Sequence, residues 1–168
     1  MSLACALRGL QLDRVVSSTM RRAVETAEPV AQALGVPFAQ ESALIEMDFG
    51  TLWPWGQEEQ EAWNRITARW RAGDYAACCP HGESLLDVLN RVEPLAAQFL
   101  AEPCRHGAAI VAHAAVNGVP LPLLCPELRP ELGQDLGHSY TGIWELEGDS
   151  GALRVLRRND TAHLLHPE

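Results

Sequence analysis

Val15-Val16-Ser17-Ser18-Thr19-Met20-Arg21-Arg22-Ala23-Val24-Glu25-Thr26-Ala27 is the stretch that decides the fold. A β-branched pair ends in small hydroxyl residues and opens into a segment whose apolar positions recur at helical spacing: Met20, Ala23, Val24, Ala27, Val30, Ala31 and Leu34. A strand running straight into a helix puts Arg22 at the strand's carboxyl edge, beside the open N–H groups of the helix start. A guanidinium fork and a helix N-terminus both favour an anion, phosphate above all. Gly35 is the stop signal. Pro29 is expected to kink this helix or divide it in two.

Outward from that stretch, Leu3 to Leu10 reads as the tail of a helix closing at Gly9, with Asp13-Arg14-Val15-Val16 as a short buried strand. Val36-Pro37-Phe38 is extended and leads to Leu44-Ile45-Glu46-Met47-Asp48-Phe49-Gly50. The aromatic, charged segment from Trp53 to Arg71 is expected to be helical after Gly56, and Gly73 to Gly82 to be a loop. Ser84, helped by Asp87, caps a second long helix with the stripe Leu85, Val88, Leu89, Val92, Leu95, Ala96 and Phe99. Ala108-Ala109-Ile110-Val111-Ala112 carries the mark of a central parallel strand, with His113 at its C-terminal end. Thr141 to Glu147 and Leu153 to Arg158, joined by Gly148-Asp149-Ser150-Gly151, read as a hairpin. The alternation predicts an α/β fold: one domain over 1–168, a three-layer sandwich with a mostly parallel sheet flanked by helices.

Composition narrows the function. The 168 residues are 47% apolar and 21% charged, the profile of an ordinary globule. With 13 basic against 22 acidic residues and a net charge of -9, nucleic acid is excluded as the expected partner, whereas one local positive cluster suffices for a small phosphorylated substrate. Five irregularly spaced cysteines, two of them adjacent at Cys78-Cys79, suggest reduced thiols in a cytoplasmic protein. No secretory signal and no membrane-spanning run is evident. His163 and His166 near the terminus have no cysteine or carboxylate partner at ligand spacing, so no metal is expected.

In an open α/β sheet, ligands bind beyond the carboxyl ends of the strands. Arg22 and His113 both fall there. Glu46, flanked by Leu44, Ile45, Met47 and Phe49, is a carboxylate in an apolar segment, where a raised pKa would suit a general acid. Each residue also has an ordinary reading. Arg22 could be a solvated helix arginine paired with Glu25, His113 a hydrogen-bonded core histidine, and Glu46 an exposed edge glutamate.

Together these segments resemble the histidine phosphatase superfamily, in its phosphoglycerate-mutase-like branch. Ser17 to Ala27 is similar to the family's second motif, which implies that Arg22 binds phosphate. Leu44 to Gly50 resembles its acid segment, which implies Glu46 as proton donor. His81-Gly82-Glu83-Ser84-Leu85 looks like the cap ahead of the last catalytic strand, and Ile110-Val111-Ala112-His113 like the strand bearing the second catalytic histidine. Asn159-Asp160-Thr161-Ala162-His163-Leu164 is similar to the usual ending. The resemblance implies catalytic roles for His113 and Glu46, phosphate binding by Arg22 and His113, a phosphohistidine intermediate, and no cofactor.

The nucleophile of that family belongs to an Arg-His-Gly motif ending a first strand near the N-terminus, and this strand is expected to be missing here. Arg105-His106-Gly107 precedes a strand instead of ending one, and is expected to be a loop. Ala114 and Asn117 also depart from the pattern, in place of a glycine and an arginine. Without its first strand the sheet is expected either to close up or to be covered by a homodimer. Two readings follow. One is a phosphomonoesterase or phosphoglycerate-type mutase whose nucleophile lies outside this sequence. The other is an inactive relic that binds a phosphorylated ligand or a protein partner.

Overall fold

The computed structural model describes residues 3–101, 107–148 and 153–165. Helix α1 (Leu3–Leu7) and a 3-10 turn (Arg8–Leu10) lead into β1 (Arg14–Ser18). This strand runs two residues past the valines, because Ser17 and Ser18 stay in the ladder and are fully buried. α2 (Arg21–Leu34) ends on Gly35, whose left-handed φ of 70° lets its N–H reach the carbonyls of Ala31 and Gln32. Pro29 does not divide α2. Its ring lies on the exposed side, while Ala27, Val30 and Ala31 around it are buried, so tertiary burial holds the helix through the lost bond.

β2 (Phe38–Glu41) pairs with β1 in parallel. Next come α3 (Gln57–Arg71), α4 (Leu85–Ala101), β3 (Ala108–Val111), α5 (Ala114–Gly118) and α6 (Leu121–Leu124). The chain closes with the antiparallel pair β4 (Ile143–Gly148) and β5 (Leu153–Asp160), which forms a sheet of its own. The residues between these two strands, and Arg105-His106, lie outside the described residues.

The parallel sheet has the order β2-β1-β3. The expectation that the Ala108–Ala112 run is central is therefore corrected: β1 takes the middle and β3 the rim, with Ile110 45% exposed. An apolar run reports that the faces of a strand are covered, not how many neighbours it has. β1 and β3 bond directly, Arg14 beside Ala108 and Ser17 beside Val111, so the sheet is closed between them.

Val15 and Val16 alternate across the sheet and are both buried. Val15 packs with Leu7, Ala27, Val30 and Ala31, and Val16 with Leu44 and Leu95. Helices thus cover both faces, giving the expected three layers. The largest core packs α3 and α4 together around Trp70, Leu85 and Val88.

Ser84 caps α4 as expected. Its Oγ accepts from Asp87 N at 3.1 Å, and the Asp87 carboxylate accepts from Ser84 N at 2.9 Å. The Ser84 hydroxyl, donating to the Asp87 carboxylate at 2.6 Å, and then the Ser84 N–H hold that carboxyl below its ordinary value. Ser84→Ala is expected to cost about 1 kcal/mol in urea unfolding.

Candidate functional site

The register of β1 against β3 carries two residues 95 positions apart to one rim of the sheet. Ser18 ends β1, and His113 follows β3 at the N-cap of α5. His113 Nε2 lies 2.6 Å from Ser18 Oγ, and Arg22 Nε donates to His113 Nδ1 at 3.1 Å. Arginine is donor only, so Nδ1 accepts, and the ring proton sits on Nε2, donated to Ser18. Ser18 Oγ also accepts from Met20 N at 3.2 Å, which ties the helix start to the strand end.

Arg22 is not the solvated partner of Glu25. Arg21 takes that role at 2.6 Å on the exposed face. The Nη groups of Arg22 have no protein partner among the described residues, and no side chain caps the α2 N-terminus. A fork and free N–H groups converge beside His113. Burial first, and the Arg22 cation second, hold the His113 imidazole below its ordinary value of 6.5.

Glu46 joins the same helix from another segment. Its Oε1 accepts from Met47 N at 2.9 Å and Val116 N at 3.0 Å, and its Oε2 faces Ala115 N at 3.5 Å. The sequence suggests a carboxyl isolated among apolar neighbours. The structure instead gives it backbone donors of α5, the helix that His113 caps. Arg22, His113 and Glu46 are thus brought together through α5 and the ends of β1 and β3.

The sequence does not disclose what holds the acid segment. Arg91 on α4 forms a two-pronged pair with Glu83, Nε to Oε1 at 2.9 Å and Nη2 to Oε2 at 3.0 Å. Arg91 Nη1 also donates to the carbonyls of Ala43 and Ile45, while Glu83 accepts from Asp48 N. This clamp grips the chain on both sides of Glu46. Glu83 lies in a recognisable motif, but nothing local signals that Arg91 grips the acid segment, since the Ala43 and Ile45 carbonyls it reaches are 48 and 46 residues away. Gly82 passes against the Asp48 carbonyl too closely for a Cβ.

Among the described residues no group of side chains could hold a metal ion, and Cys78, Cys79 and Cys125 are free thiols. His163 bonds Thr141 Oγ1 at 3.1 Å, and His166 lies outside the described residues. No helix among the described residues is long and apolar enough to cross a membrane.

The three-layer α/β sandwich brings an arginine, a histidine and a carboxylate together beyond the carboxyl ends of β1 and β3, where ligands bind in open α/β folds. The model of the histidine phosphatase superfamily (branch 1) matches residues 1–161, and the chain belongs to that family. A probable phosphoglycerate mutase of Salmonella choleraesuis is 31% identical over 115 residues, 66% of this chain and 52% of that protein. A 2,3-bisphosphoglycerate-dependent phosphoglycerate mutase of Bartonella quintana is 33% identical over 98 residues, 51% of this chain and 44% of that protein. The chain thus spans about half the length of these curated relatives. Among solved structures, a mycobacterial glucosyl-3-phosphoglycerate phosphatase in complex with inorganic phosphate matches with TM-score 0.72 and 25% identity, covering 95% of this chain and 83% of that one. The YhfR structure of Bacillus stearothermophilus shares the fold at TM-score 0.72 and 22% identity, over 96% and 81% of the two chains.

Arg91→Ala leaves Glu83 half-buried without its cation and frees the acid segment. About 2 kcal/mol of stability loss is expected by chemical denaturation. The lowered His113 pKa has a definite sign. The unfolded chain takes up this proton first, so His113 withdraws stability as pH falls below 6.5. Arg22→Gln is expected to move the His113 titration upward in NMR, with burial still holding it below the ordinary value.

Proposed function

We propose that this chain is the phosphate-binding and proton-donating part of a phosphomonoesterase acting on small phosphate esters. The observation that supports this most directly is the bridged imidazole. His113 is held between Ser18 and Arg22, leaving the Nη groups of Arg22 and the uncapped start of α2 open to phosphoryl oxygens. Arg22 and His113 bind those oxygens and stabilise the charge that develops on them. Glu46, on the α5 N–H groups next to His113, gives its proton to the leaving oxygen as the P–O bond breaks.

A phosphohistidine intermediate needs a second imidazole. A nucleophilic nitrogen attacks phosphorus, the alcohol leaves with the Glu46 proton, and water then cleaves the P–N bond to give inorganic phosphate. His113 is ill suited to that attack, since both its nitrogens are engaged. Among the described residues, His81, His138 and His163 bond to none of Ser18, Arg22 and His113. In this reading the nucleophilic histidine is one that this sequence does not carry. The segment between Gly50 and Gly82 holds only a 3-10 turn, α3 and loops. It leaves little room for a large cap, which favours a broad phosphatase over a mutase.

The engagement of His113 by protein groups also favours a second reading, a relic that binds a phosphorylated ligand or a protein partner without turning it over. One experiment separates the two. The 168-residue chain is assayed on p-nitrophenyl phosphate at mildly acidic pH, with phosphate binding followed in parallel. With free imidazole added in place of the absent nucleophile, turnover abolished by His113→Ala supports the phosphatase, and phosphate bound without turnover supports the relic. In either case Arg22→Gln is expected to weaken phosphate binding by about tenfold or more, the worth of charge-assisted bonds. Wild-type affinity in that variant would contradict both readings.

A further inference from the structure

α5 is only five residues long, yet its N-terminal turn serves both His113 and Glu46. A helix of that length does not hold its place unaided. Its other end, Gly118, rests against the imidazole of His138. A Cβ at Gly118 would come within 2.8 Å of His138 Cε1, closer than packed atoms allow. His138 in turn is stacked on Trp144, with ring centroids 5.2 Å apart and planes 16° from parallel. The Arg158 guanidinium also packs on the Trp144 ring, 5.3 Å from its centroid, and is pinned by Glu131. Arg158, Trp144 and His138 thus make a braced stack with α5 at its end. His138 Nε2 is buried, and no group among the described residues bonds it.

We propose that His138 is a positioning residue for the acid of this site, holding α5 so that the N–H groups of Ala115 and Val116 stay on the Glu46 carboxylate. The inference rests on the reading of Glu46 as that acid. It gives work to a histidine that neither binds phosphate nor bonds a catalytic group. The brace is also sensitive to charge. Burial, the largest influence, holds His138 below its ordinary value, and the Arg158 cation acts in the same direction. The Asp135 and Glu46 carboxylates oppose them. Protonating His138 places a buried charge beside Arg158 in the stack and draws the ring towards Glu46, so the acid and its brace respond to one another.

The test is NMR on the 15N-labelled 168-residue chain, which needs no turnover. In the wild type, the Ala115 and Val116 amides are expected to shift in a pH step that tracks the His138 ring protons. His138→Phe keeps the flat ring and the packing, so the amides stay near their wild-type positions but lose the His138 step. His138→Ala and Gly118→Ala remove or displace the brace. Both amides are then expected to move towards their Glu46→Gln positions and to exchange about tenfold faster with solvent. Unmoved amides in these two variants, or a His138 step that persists in His138→Phe, would overturn the proposal. If the alanine variants do not fold, the phenylalanine variant decides alone. Phosphate titrated into the same samples separates this proposal from the functional reading. Phosphate that ignores Arg22 and His113 while the amide step remains sinks the functional reading and leaves the brace.

Discussion

The parallel ladder between β1 and β3 is the constraint on which the rest depends. Ser17 opposite Val111 fixes Ser18 and His113 at one level of the sheet, and their 2.6 Å contact follows from that register. A slip of one residue would turn Ser18 to the other face and break the contact. Val15 and Val16 hold the register, since each is sealed against a different helical layer and neither tolerates exchange of faces. The site is thus a consequence of how two valines are buried. Arg22 then needs no precise loop to reach the ring, because it stands in the first turn of a helix that starts where the strand ends.

The second support is electrostatic and lies across the site. Glu83 and Arg91 are each about one-fifth exposed, a setting in which an ion pair is screened less than at the surface. Their remaining hydrogen-bonding capacity goes to the backbone on both sides of Glu46. Such a pair contributes less through its own attraction than through the geometry it enforces. Glu46 is therefore placed twice, by the clamp on its own chain and by the α5 amides that it accepts from. The His113 ring is likewise fixed at both nitrogens. A phosphate-binding site benefits from donors that are already oriented before the anion arrives.

Local chemistry was legible in the sequence, and long-range partnership was not. The Ser84–Asp87 cap, the Gly35 stop and the strand-to-helix passage at Ser18–Arg21 depend on residues within a few positions of one another. The hairpin of β4 and β5 also follows from its own alternation. Pro29 misled because helix breaking is a local cost, and the burial of Ala27, Val30 and Ala31 exceeds it. The Ala108–Ala112 run misled because apolarity does not say which strand lies in the middle. β1 takes the centre with two buried serines that a hydropathy reading would place at an edge. Arg22 was singled out among neighbouring arginines by its position in the motif, and the structure gives Arg21, not Arg22, to Glu25. Arg91 and His138 were illegible, since their partners lie on other elements and no local pattern announces them.

The central claim is that a guanidinium, an imidazole and a carboxyl group surround one phosphoryl-sized space. The most direct measurement is a crystal structure of this chain grown with inorganic phosphate. The account predicts the anion between the Nη groups of Arg22, the start of α2 and the His113 ring, with Glu46 facing one of its oxygens. Phosphate bound elsewhere, or the three side chains found apart, would contradict it.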